Sequence, residues 1–108
     1  MPTFDEFWPH YVRAHRNPVN RALHYAGTTA AACTLVAAAL RRDPRLVLAS
    51  LAVGYGPAWV GHFVFEGNKP ATFGHPLWSL RADVKMLSLA LRGAMAAEVA
   101  RVEAMGAG

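Results

Sequence analysis

The chain has 108 residues, 54% apolar and 17% charged, with a net charge of +4 and a single cysteine. A charged fraction below the roughly 25% of soluble domains leans toward a membrane, and one cysteine excludes an internal disulfide. Nucleic acid is not an expected partner: Arg13, Arg16, Arg21, Arg41, Arg42, Arg45 and Lys69 fall in presumed turns or helix ends rather than on one basic, aromatic face.

The length suits one domain over residues 1–108. Four helices are expected, over about 3–15, 18–41, 44–66 and 76–104. Thr3 followed by Glu6 is a capping box opening the first, whose stripe of Phe4, Trp8, Tyr11 and His15 is aromatic and interfacial in character. Asn17-Pro18 pairs an N-cap with proline at the first helical position, and Asp43-Pro44 repeats that signal. Pro57 should kink the third helix. Gly67 to His75 reads as a loop, Pro76 starts the last helix, and residues 106–108 are expected to fray.

Residues 22–40 and 46–65 contain no Asp, Glu, Lys or Arg. At about 1.5 Å per residue each can cross a hydrocarbon layer of about 30 Å. The expected fold is therefore all-α, a four-helix membrane-associated bundle with a central transmembrane hairpin. The alternative is a soluble bundle with two buried helices. Basic residues mark both ends of the hairpin, so they do not set its orientation.

About the turn at Asp43-Pro44, His24 and His62 lie almost equally far along their helices, and the short link at Arg16-Asn17-Pro18 brings His15 to the same end. Glu66, one turn beyond His62, adds a carboxylate. Histidine nitrogens with one carboxylate suit iron(II), zinc or manganese, and an open-sided set of this kind is typical of non-haem iron oxygenases. His15, His24, His62 and Glu66 are the candidate ligands. Asp83 is placed to orient a ligand histidine or pair with Arg21, and His75 to reach back as a further ligand. A lone buried histidine is usually a structural one, and Glu66 alone reads equally as a solvated helix end. The chain has no Gly-rich phosphate loop, no serine elbow, and no basic partner for Cys33, which argues against a nucleophile-based hydrolase.

Phe7-Trp8-Pro9 to His15, then Asn17-Pro18, Asn20-Arg21, His24 and Gly27-Thr28, then Gly61-His62, Phe65-Glu66, Asn68-Lys69-Pro70-Ala71 and Pro76-Leu77 to Asp83, form a pattern over roughly residues 4–86. It resembles the 2-hydroxy fatty acid dioxygenases of fatty acid α-oxidation. That resemblance implies an integral membrane protein, in the cytoplasmic membrane of a bacterium or the endoplasmic reticulum of a eukaryote. It implies an enzyme that uses iron(II) and O2 to shorten a 2-hydroxy fatty acid by one carbon, releasing CO2. By the same resemblance His15, His24 and His62 carry the chemistry, while Glu66, Asn20, Lys69 and Pro70 match flanking positions. Arg21 or Lys69 would then neutralise the substrate carboxylate, with the acyl chain along the apolar helices. The expected partners are that fatty acid, O2 and membrane lipid, with a homo-oligomer compatible. Two rival readings use the same residues: a non-catalytic membrane protein with a structural histidine cluster, and a lipid- or partner-binding module anchored by the aromatic first helix.

Overall fold

The computed structural model describes residues 3–105; the expected fraying at 106–108 lies outside them. Every regular element among the described residues is helical. The order is α1 (Phe4–Arg13), α2 (Pro18–Arg41), α3 (Arg45–Val60) running into a π-helical turn (Gly61–Glu66), a 3-10 turn (Ala71–Phe73), α4 (Pro76–Leu91) and α5 (Met95–Ala104).

The helix starts follow their capping residues. Thr3 Oγ1 accepts from Glu6 N–H at 3.2 Å, and Asn17 Oδ1 accepts from Val19 N–H at 2.8 Å. At the hairpin turn Arg42 takes the left-handed conformation, Asp43 N–H returns to the Ala38 carbonyl, and Asp43 Oδ1 caps Arg45 N–H. The last helix differs from expectation. Gly93, at φ 69°, allows Ala94 N–H to reach back to the Leu89 carbonyl at 2.8 Å, a Schellman stop that divides 76–104 into α4 and α5. Among the described residues five α-helices therefore stand where four were expected.

That break lets α5 fold back against α1. The aromatic stripe of α1 is consequently a core face: Phe7, Trp8, Tyr11 and Val12 are buried with Ala82 and Met86 of α4 and Met95 and Val102 of α5. Burying side chains of this size contributes about 1.5–3 kcal/mol each. Trp8 Nε1–H donates to Glu98 Oε2 at 2.6 Å, and Lys85 Nζ lies over the Trp8 ring at 4.2 Å. With its rings enclosed, α1 presents no aromatic face as a surface anchor.

The α2–α3 hairpin projects from this packet, and the molecule measures 48 × 28 × 28 Å. Its two helices pack at backbone distance, since a Cβ added at Gly27 would lie 2.8 Å from the Gly54 carbonyl oxygen. α2, and α3 together with its π-helical turn (Arg45–Glu66), are long and apolar enough to cross a membrane, and only 17% and 22% of their most apolar stretches are buried. Leu40 is 81% exposed and Leu48 69%. α3 continues through Pro57, and the departure from α geometry comes at Gly61, where the π-helical turn begins.

Candidate metal centre

Three segments deliver one imidazole each. His15 lies two residues past α1, held by His15 N–H to the Val12 carbonyl at 3.0 Å; His24 is in the second turn of α2; His62 is in the π-helical turn. All three are buried, at 0%, 4% and 1% exposure. Their ring centroids are 4.4, 4.4 and 4.8 Å apart, with the rings nearly perpendicular.

Each ring has one nitrogen held from behind. His15 Nδ1 faces the Tyr11 carbonyl at 2.6 Å, His24 Nδ1 the Asn20 carbonyl at 2.9 Å, and His62 Nδ1 the Asn68 side-chain carbonyl at 2.7 Å. Carbonyl oxygens only accept, so the hydrogen-bond network assigns the proton to Nδ1 in all three rings. The three Nε2 lone pairs are then left for the interior, with His15 Nε2 and His24 Nε2 3.2 Å apart. A hydrogen bond across that gap would move a proton to one Nε2 and set that ring's Nδ1 lone pair against a carbonyl oxygen. Protonating a ring fully is the other relief, but burial, with His24 adding to it, pushes the His15 imidazole well below its ordinary range. A metal cation satisfies all three lone pairs at once.

The spacing fits such an ion. Imidazole bonds of about 2.1 Å allow donor atoms up to about 4.2 Å apart. The 3.2 Å pair has ligand spacing already, and one nitrogen from each ring lies within 4.8 Å of the other two. An all-imidazole set suits iron(II), zinc, copper or nickel, whereas manganese favours oxygen ligands.

The expected carboxylate ligand is engaged elsewhere. Glu66 Oε1 accepts from the Asn17 backbone N–H and, at 3.4 Å, from Asn20 Nδ2, which ties the π-helical turn to the start of α2. Arg21 Nη1 donates to the carbonyls of His15 and Arg16 at 2.9 and 2.8 Å, closing the end of α1. Asp83 accepts from the Tyr11 hydroxyl rather than from Arg21 or a histidine. Burial lifts the Asp83 carboxyl to about 6. His75 stands apart, stacked on Trp78 at 5.1 Å and edge-on to Phe7 at 5.3 Å. Lys69 is exposed beside Asn68.

Three supporting residues carry no signal in the sequence that marks their role. Tyr11 stacks on the His15 ring at 4.0 Å and supplies its carbonyl. Asn68 holds His62 and, through Nδ2, the Ala14 carbonyl at 3.1 Å. Gly61 leaves room for Asn20, whose Oδ1 would lie 2.0 Å from any Cβ there. Tyr11 belongs to the aromatic stripe of α1, which carries no signal of a supporting role, and the tie from Asn68 depends on the π-helical turn, which α periodicity does not reveal.

This set of residues has a counterpart in a known family. Residues 1–95 match the family described as 2-hydroxy-palmitic acid dioxygenase Mpo1-like. The chain belongs to the Mpo1-like family. The match contains all three histidines and ends at the first residue of α5. No curated protein and no solved structure matches the chain.

Proposed function

We propose that this Mpo1-like protein is an iron(II)-dependent dioxygenase of the membrane that converts a 2-hydroxy fatty acid and O2 into the fatty acid one carbon shorter, CO2 and water. The observation that carries the reading is the convergence of three buried imidazoles, one nitrogen from each within 4.8 Å of the others, on rings whose Nδ1 atoms are held by carbonyls. The family description supports the substrate class. The exposed apolar faces of α2 and α3 support a membrane-spanning hairpin, since soluble proteins seldom leave so much contiguous apolar surface in water.

His15, His24 and His62 would hold the iron as neutral ligands, oriented by Tyr11, Asn20 and Asn68. Bound there, iron(II) would supply the activation of O2 that the oxidative decarboxylation requires. Lys69, exposed next to Asn68, is the cation we assign to the substrate carboxylate, because Arg21 already serves the end of α1. Glu66 braces the ligand-bearing turn. A centre at the end of the apolar hairpin suits a lipid whose head must meet polar groups while its tail stays in hydrocarbon.

The test is purification in detergent, elemental analysis, and oxygen uptake with 2-hydroxypalmitate. Stoichiometric iron, equimolar O2 consumption and CO2 release, and pentadecanoate as product are expected. Iron-loaded protein without turnover would refute this activity. His62→Ala should lose iron and turnover together while keeping its helical content.

A further inference from the structure

A cleft of about 340 Å³ opens along the hairpin, starting at Thr28, one helical turn from His24. Its walls come from three helices: Thr28, Ala32 and Leu35 of α2, Leu51 and Tyr55 of α3, and Val84 of α4. Thr28 lies one turn beyond His24, and Tyr55 two turns before His62. The far end, at Leu35, is eleven residues from His24, about 16 Å along α2. The cleft exists because Ala31 and Gly54 meet where larger residues would fill it; a Cβ on Gly54 would lie 3.2 Å from that of Ala31.

We infer that this cleft is the acyl-chain site of the three-histidine centre, taking a long saturated tail from the metal toward the hairpin turn. The inference rests on the dioxygenase reading and deepens it by locating the tail and the residues that measure it. Continuity argues for this occupant: the cleft begins within one turn of a ligand histidine and runs parallel to the helices, as a tethered chain requires. Its lining is almost wholly apolar, with only the hydroxyl-bearing Thr28, Ser50 and Tyr55 among its walls, so it suits a hydrocarbon tail better than a charged headgroup or a polar peptide. A larger recess of about 650 Å³ on the other side of α2, walled by Tyr25, Thr29, Leu87 and Leu91, is formed by α2 and α4 alone and is more open. It grips a flexible chain less well.

The experiment uses the full chain in nanodiscs and a 2-hydroxypalmitate analogue bearing a diazirine at its terminal carbon. Photolabelling should mark Leu35 and Leu51 and be displaced by unlabelled 2-hydroxypalmitate. In a second arm, Ala32→Phe, which narrows the cleft midway, should lower kcat/KM for 2-hydroxypalmitate at least tenfold relative to 2-hydroxydecanoate while leaving iron content unchanged. Labels on Leu87 and Leu91, or equal and undisplaced labelling by a phosphatidylcholine carrying the same diazirine, would overturn the proposal. So would an Ala32→Phe protein with unaltered chain-length preference. Displaceable labelling in the cleft without turnover would keep the acyl site and discard the dioxygenase; turnover with labels elsewhere would do the reverse.

Discussion

Asn68 joins two parts of the histidine cluster, because it accepts from His62 Nδ1 and donates to the carbonyl of Ala14, next to His15. It therefore fixes one ring of the histidine cluster and the position of another. Asn68→Ala should weaken iron binding by about 10–100-fold, the usual effect of losing such support, whereas Asn68→Asp keeps the acceptor and should retain most of the affinity. Competition with a chromophoric chelator measures both. Asp83 behaves differently, since burial raises its carboxyl from 3.8 to about 6. Between those values the folded chain holds a proton that the unfolded chain has released, so this residue's contribution to stability is present below pH ~4 and is lost as pH rises through about 6. Asp83→Asn keeps an acceptor for Tyr11 and should flatten that slope. Denaturant midpoints of the two proteins in detergent, compared from pH 4 to 7, give the difference; parallel curves would refute the assignment.

Among the elements, the π-helical turn decides where its two polar residues go. Continuous α geometry would set His62 and Glu66 on one stripe as co-ligands, and this was the reading of their spacing. The widened turn sends His62 to the cluster and Glu66 to the N-terminus of α2. Gly61, its first residue, lies against Asn20, whose own carbonyl holds His24. Gly61→Ala should therefore cost at least about 1–3 kcal/mol, the range for overpacking a core, and weaken metal binding through Asn20. Gly56 makes the control, because a Cβ there meets nothing within 4 Å. Gly56→Ala should be neutral or stabilise by up to about 1 kcal/mol through helix propensity. Equal effects at the two glycines, by chemical denaturation, would show that contact with Asn20 is irrelevant.

Across the whole molecule, a bound ion would tie the end of α1, the start of α2 and the end of α3 together. Iron should accordingly raise the unfolding midpoint, by about 2.7 kcal/mol of stability at a hundredfold excess over Kd, and chelation should reverse it. A thermal midpoint indifferent to chelator would favour a structural histidine cluster. The exposed apolar hairpin leads to a further expectation: the protein should stay with membranes through alkaline carbonate extraction.

Much of this was legible in the sequence because it was written in local chemistry. Thr3, Asn17 and Asp43 announce helix starts through side-chain oxygens that cap backbone N–H groups, and two charge-free stretches declare their length directly. The meeting of His15, His24 and His62 followed from antiparallel packing about a short turn, which leaves little freedom of depth. What tertiary structure alone decided were the outcomes of competition between partners. Whether Glu66 meets a metal or an N-terminal N–H, and whether Asp83 meets Arg21 or Tyr11, depends on distances of a few ångströms. The break at Gly93 belongs to the same class: a glycine permits a left-handed residue, but the stop is favoured here because α5 can then bury Met95 and Val102 against α1. Local sequence sets which conformations are cheap, and packing chooses among them.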